Sequence, residues 1–477
     1  MRTRVEWTTR EERQSIIDEA VGLLERVGMD FGHGDALEAL AEAGADVDRD
    51  RGVARIPAHL VEEALALCPR EIVLGGATPA DDCLLSEGVA HFTNSGAPTK
   101  TLDFQTGRRR TSTDDDLGKA TMVLDTTCTA ITWPIVSSAD LPEARRMLAE
   151  LITVLSWTRK HVQHEVAGRW QVESFKRMAE VAGGDPHTRP RLSIVCCTAS
   201  PLRAHSELLD ASTDVAALGF PVVVLPMPLA GATAPITIAG TATMNTAEFL
   251  GAATAIQLRA PGARLIMGIG PGLVDMRQTT FCFGALEAGV AAAVCVEVAH
   301  HLGVSCLAPA LASDAKYPGI QAGYEKALQG LTVASAAPDL MTGGIGQLEG
   351  AGLMSLPQIV IDDEIAQMIL RILGGAEITR ETIMPEVMER VGLTGNYLAE
   401  KETRRRLRAG ELFMPTISNR QSYEHWEVGG TRELDTAIAR VREIVAAAEE
   451  CGPLLDDGQL ADLRACVDQA AEAAPSA

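Results

Sequence analysis

The stretch Val304 to Ala327, VSCLAPALASDAKYPGIQAGYEKA, decides the fold. Its apolar opening, Val304 to Leu307, has the length of a buried parallel strand. The chain then breaks at Pro309 and crosses a polar loop holding Ser313, Asp314, Lys316, Tyr317, Pro318 and Gly319. From Gln321 the spacing is helical. Strand, loop and helix make one βα unit, and in a barrel of such units this loop lies on the catalytic rim.

Outward from that unit the pattern repeats. Short apolar runs stand at Ala130 to Val136, His161 to Val166, Leu192 to Cys197 and Pro221 to Leu225. Others stand at Arg264 to Gly268, Val304 to Leu307, Asp339 to Gly343 and Gln358 to Ile361. Helical patterns lie between them, for example Pro142 to Ser156, Trp170 to Val181, Ala204 to Leu218, Met244 to Leu258 and Phe281 to Leu302. Eight strands alternating with helices over roughly 250 residues predict an α/β fold, a (β/α)8 TIM barrel. A doubly wound open sheet would want a phosphate loop. GIGPGL at Gly268 to Leu273 does not complete G-x-G-x-x-G, and in GGIGQLEG at Gly343 to Gly350 Glu349 takes the third glycine position. The expected organisation is an N-terminal α/β extension over 1–125, the barrel over 126–375, and a C-terminal helical region over 376–477 packed on the barrel.

In the extension, helices are expected over residues 10–27, from Asp35 to Ala43 with Gly44 as the stop, and from Pro57 to Leu67. A hairpin turns near Asp50 to Gly52. Thr113 followed by Asp114 to Asp116 reads as a helix cap with negative charge at the positive dipole end, not as a metal site. Arg108 to Arg110 read as a solvated face. Tail helices are expected near Asp362 to Leu373, Thr379 to Val391, Tyr397 to Arg408 and Thr431 to Ala448, packed on the barrel or on a neighbouring subunit of a homo-oligomer.

The totals narrow the function. Hydrophobic residues at 46% and charged residues at 22% describe a globular chain. A net charge of −22 sets it against nucleic acid and anionic membranes. The ten cysteines include no C-x-x-C, and no signal-peptide core opens the chain, so reduced thiols in a cytoplasmic protein are expected. The apolar region Phe281 to Leu302 is interrupted by Glu287, Glu297, His300 and His301, which argues against a membrane span.

The rim of such a barrel would hold Trp133 to Ser138, His164 with Glu165, Thr198 to Pro201, Met227 to Thr233 and Gly268 to Gly272. Pro309 to Tyr317, Gly343 to Glu349 and Asp362 with Asp363 complete it. No metal site is expected. His161 and His164, three apart on a strand, face opposite sides, as do Cys196 and Cys197. His300, His301 and Cys306 lack close His-x-Cys spacing. Lys316 could form a Schiff base, although it stands in a polar loop. Trp133, Tyr317 and Phe92 could contribute to a cage for a cationic ligand.

Several segments then carry a resemblance over nearly the full length. They are ALEALAEAGADVD and ARIPAHLVEEALALCPREIVLGG in the extension, TLDFQTGRRRTSTDDDL, SSADLPEAR at Ser137 to Arg145, and PLAGATAPITIAG at Pro228 to Gly240. SDAKYPGIQAGYEKA and GGIGQLEGAGLMSLPQIVIDDEI complete the set. In these the chain resembles the trimethylamine:corrinoid methyltransferase family. The founding members carry pyrrolysine, near the loop matching Ser313 to Tyr317, whereas this chain has only standard residues. The resemblance therefore implies the branch without pyrrolysine. It implies methyl transfer from a quaternary or tertiary methylated amine, such as glycine betaine, carnitine, proline betaine or choline, to cob(I)alamin on a partner corrinoid protein.

On that implication Asp314 and Lys316 are the expected orienting, catalytic pair. Trp133, His164, Glu165, Tyr317 and Phe92 would bind substrate, and Gly231, Gly343 and Gly344 would let the corrin or substrate approach. Two other readings stay open from the residues: a barrel that binds quaternary ammonium compounds without turning them over, and a Schiff-base lyase using Lys316.

Overall fold

The computed structural model describes residues 4–86, 90–136 and 141–475. Ser137 and Ser138 of the expected rim, and the start of the SSADLPEAR segment, lie outside them. At the centre is a closed barrel of eight parallel strands. In chain order these are β1 (His91–Thr93), β2 (Thr129–Thr132), β3 (His161–His164), β4 (Leu192–Ala199), β5 (Val222–Leu225), β6 (Leu265–Gly268), β7 (Cys306–Pro309) and β8 (Leu340–Thr342). Each strand pairs in parallel with its neighbour, and β8 returns to β1 to close the ring. Each is followed by a helix: α1 (Asp114–Asp125), α2 (Glu143–Trp157), α3 (Val172–Val181), α4 (Ser206–Ala217), α5 (Ile238–Arg259), α6 (Leu286–Leu302), α7 (Ile320–Ser335) and α8 (Leu356–Leu373).

The strands are apolar on both faces, because one face meets the helices and the other the barrel interior. Along β5, Val222 and Val224 pack outward in the main core, while Val223 and Leu225 turn inward. The inward set continues with Ile131, Val195, Ile266, Leu307 and Leu340, and is capped from below by a hairpin of Ile72–Leu74 and Cys83–Leu85. That hairpin seals the floor of the barrel. The end from which the strands emerge stays open.

Two corrections to the strand assignment follow. Gln358 to Ile361 is not the eighth strand but the second turn of α8, entered through Ser355 with Pro357 in its first turn. A short apolar run has no periodicity to separate buried helix from buried strand, and this one is buried on nearly all sides. The missing strand is instead β1, which lies within 1–125 and at three residues is too short to show a pattern. Likewise α6 begins at Leu286, since Thr280–Cys282 pairs as a strand with Gly272–Asp275. The expected helix Thr379 to Val391 is split at Met384, whose φ is 56°. A final helix, Asp457–Ala473, packs against α2 and α3 and has no counterpart in the sequence reading.

Elsewhere the local signals hold. Thr113 caps α1 in a reciprocal capping box with Asp116, whose carboxylate also takes two bonds from Arg110 at 2.5 and 2.8 Å. The helix Arg10–Arg26 lies against α5 and α6. Its entry is fixed by the buried Glu297 of α6, which accepts the backbone N–H groups of Trp7 and Thr8 at 2.8 and 2.9 Å. No helix among the described residues is long and apolar enough to cross a membrane.

Candidate active site

A cavity of about 670 Å³ opens at the strand-exit end of the barrel, within the range of small-ligand sites. One wall is charged. Arg146 and Glu150 come from the first turns of α2, and His164 and Glu165 from the end of β3. His164 Nε2 lies 2.8 Å from the Met147 carbonyl and 3.3 Å from Glu150 Oε2. Two buried nitrogens here, His164 Nδ1 and Arg146 Nε, make no hydrogen bond among the described residues. Burial raises the pKa of Glu165. The nearby Glu150 charge raises it further, and His164 pulls it down.

The other wall is aromatic and aliphatic. Trp133, at the end of β2, is almost fully buried, and its indole packs so closely on Gly96 that a Cβ there would lie 2.2 Å from Nε1. Phe281 and Phe283 stack with ring centroids 5.6 Å apart. Gly343, at φ +90°, leaves the Phe283 ring its place. Leu225, Met227 and Ile269 fill the remainder. The only thiol on the wall is Cys197, and burial drives its pKa upward, so it carries no thiolate to attack a substrate.

Of the expected site residues, Trp133, His164, Glu165 and Gly343 are brought together around this cavity. Asp314 is not on it. Its carboxylate accepts the N–H groups of Phe283 and Gly284 at 3.0 and 3.1 Å, so it anchors the aromatic wall from behind. Lys316 is exposed, and its ammonium donates to the Asp314 carbonyl at 2.7 Å. Nothing desolvates that amine as a Schiff base requires. Tyr317 points to solvent, 68% exposed. Phe92 is buried in the outer core of β1, on the face turned from the barrel interior. Gly344 packs against the backbone of Ala310 and Leu311, and Gly231 against Met276. Neither lines the cavity.

Arg146, Glu150, Phe281 and Phe283 were missed. Arg146 and Glu150 stand four apart just inside a helix that follows a strand end, a spacing that puts both on one face. The alternation Phe281-Cys282-Phe283 is a strand pattern, which places both rings on one side.

The two histidines of β3 do part. His164 reaches the cavity, while His161 is fully buried lower down, with Ser193 Oγ at 2.7 Å and the Pro190 carbonyl at 2.9 Å. Far from the mouth, His300, Cys306 and Asp339 bring one ligand atom each within 4.8 Å of one another. Arg4 contacts His300 Nδ1, and the Asp339 carboxylate accepts the backbone N–H of Cys306 at 2.8 Å.

A floor-plugged (β/α)8 barrel with one wall of charged groups and one of aromatic rings at its strand-exit mouth defines the class of fold and site. The family model for trimethylamine methyltransferases matches residues 2–475, and the chain belongs to that family of methyltransferases. It is 30% identical to a trimethylamine methyltransferase of Desulfitobacterium hafniense, over 89% of this chain and 86% of the relative. It is 25% identical to a glycine betaine methyltransferase of the same species, over 97% and 96%. Among solved structures, the monomethylamine methyltransferase of Methanosarcina barkeri superposes with a TM-score of 0.54 at 13% identity, covering 94% of this chain and 89% of that one. That last likeness concerns the fold.

Proposed function

We propose that this methyltransferase removes a methyl group from a betaine-type quaternary amine and passes it to a corrinoid carried by a separate protein. The observation that carries the reading is the two-sided cavity: carboxyl groups and one arginine on one wall, aromatic faces on the other, and a cysteine whose burial keeps it a thiol.

A quaternary nitrogen already bears its positive charge, so the departing amine leaves neutral and needs no acid. The reduced corrinoid supplies the nucleophile. The chain's own residues bind, orient and exclude water. Glu165 and Glu150 face the cation, and Trp133, Phe281 and Phe283 offer it their ring faces. Arg146, with an uncommitted buried Nε, suits the carboxylate of a betaine. Around the opening Met227, Ile236, Met276, Phe281, Tyr317 and Ile320 are exposed. This is an apolar collar on which a protein carrying a flat macrocycle could seat.

The test is to mix the protein with cob(I)alamin and a panel of glycine betaine, carnitine, proline betaine, choline and trimethylamine. The corrinoid's visible spectrum should change with a betaine and not without the protein. A spectrum that stays unchanged with every amine would overturn the reading.

A further inference from the structure

The last turn of α6 holds His300, and Gly303, at φ +72°, turns the chain out of the helix toward β7. That strand opens on Cys306, whose side chain lies in the outer core. The parallel register sets Leu307 opposite Leu340, so Cys306 stands opposite Asp339, the residue that leads into β8. The Asp339 carboxylate accepts the Cys306 N–H at 2.8 Å and ties the two strand starts together. One imidazole nitrogen, one thiol sulfur and one carboxylate oxygen thereby come within 4.8 Å of one another. Spacing along the chain gives no sign of this, because Asp339 arrives from the next strand.

A cavity of about 290 Å³ opens beside them at the floor end of the barrel, bordered by His300, Asp339, Ser305, Arg70 and Glu71. Imidazole, thiolate and carboxylate are the donors that zinc takes, and the cavity gives the ion a way in and room for a water as fourth ligand. A tetrahedral zinc sets its ligand atoms roughly 3.3–3.8 Å apart, so side-chain rotations of about 1 Å close the set. Burial, and the Asp339 charge beside it, hold the Cys306 thiol well above its ordinary range. A dication supplies what that pair lacks, since thiolate and carboxylate together cancel its charge. The negative end of the α6 dipole adds to the attraction. On the rim Arg70 and Glu71 carry opposite charges. Arg4 lies against His300 Nδ1 from the exposed start of the chain, and would swing into solvent when that imidazole ligates.

We infer that His300, Cys306 and Asp339 bind one zinc ion at the closed end of the barrel. On binding, the Cys306 S–H bond breaks, a sulfur–zinc bond forms, and the proton passes to water. The site lies at the opposite end of β7 and β8 from Pro309 and Thr342, which line the mouth cavity. The ion therefore takes no part in the chemistry at the mouth. It fastens the end of α6 to the starts of two neighbouring strands, and so steadies the walls those strands carry.

The test uses the full chain, equilibrated with zinc(II) and desalted, with metal content from plasma mass spectrometry. About one zinc per chain should remain. X-ray absorption at the zinc edge should show one sulfur at about 2.3 Å, with nitrogen and oxygen at about 2.0–2.1 Å. Cobalt(II) in its place should give the ultraviolet charge-transfer band of a metal thiolate, and Cys306→Ala should remove that band. His300→Gln changes a half-buried position, which spares the core, and should lower retained zinc about tenfold or more. His301→Gln, beside the site on the same helix, and Cys451→Ser, exposed in the tail, should keep the metal. Zinc should raise the melting temperature of the native chain and not that of His300→Gln. A native chain that retains less than about a tenth of a zinc, or a zinc shell without sulfur, would overturn the inference. So would zinc retained equally by His300→Gln and Cys306→Ala.

Discussion

Lys326 and Asp362 meet at 2.8 Å with both side chains wholly buried. The ammonium also donates to the carbonyls of Leu311 and Gly344 at 3.0 and 2.7 Å, and the carboxylate takes the Gly346 N–H and Gln358. One pair thus ties the loops after β7 and β8, which carry Asp314 and Gly343, to helices α7 and α8. Burial pushes the lysine's pKa down and the aspartic acid's up, so each charge depends on the other. Lys326→Met should destabilise the fold by about 3–5 kcal/mol, because it strands a buried carboxylate. The double variant Lys326→Met, Asp362→Leu should recover much of that loss. Urea unfolding of the three proteins checks this, and equal losses in single and double variants would contradict it.

Glu165 should make amine binding depend on pH. Its carboxyl is held above the usual range by burial. A quaternary ammonium favours the ionised form, so binding releases a proton and strengthens as pH rises through that raised pKa. Titration calorimetry in buffers of different ionisation enthalpy should detect the proton. In Glu165→Gln the pH limb should vanish and affinity should fall about tenfold or more.

Arg146 should separate betaines from choline. Loss of a charge-assisted bond to a carboxylate costs about 1.5–3 kcal/mol. Arg146→Ala should therefore weaken glycine betaine binding by at least tenfold and leave choline within a few-fold. Equal losses for both ligands would show that the arginine supports the wall instead of reading the substrate.

His161 should give the fold an acid limb. Complete burial, with Arg191 adding to it, holds its pKa down at about 3. An unfolded histidine titrates near 6.5. Below that value the unfolded chain takes up a proton that the folded chain refuses, so stability present above about 6.5 is lost as pH falls, at up to about 1.4 kcal/mol per unit. The urea midpoint should drop between pH 7.5 and 5, and His161→Gln should flatten that slope.

Lys316→Met should leave methyl transfer near normal. Its ammonium is exposed and bonded to its neighbour's carbonyl, outside the cavity. A hundredfold loss of rate would restore it to the chemistry.

The sequence by itself determined the repeating strand–helix order, seven of the eight barrel strands, the Thr113 cap and the apolar faces of the flanking helices. Periodicity and capping act over a few residues and are written locally. It also carried Trp133, His164 and Glu165 to the cavity, since each ends or follows a visible strand. Only the tertiary structure decided the rest. β1 is defined by the partners it pairs with, because three residues hold no period. Gln358 to Ile361 became helix because its surroundings bury it on several sides. Arg146, Phe281 and Phe283 joined the site because the barrel's closure brings distant loops to one mouth. Asp314 and Lys316 were drawn off it because their groups found backbone partners nearby. Distance along the chain carries no information about which loops a closed ring sets face to face, and that proximity is what makes the cavity.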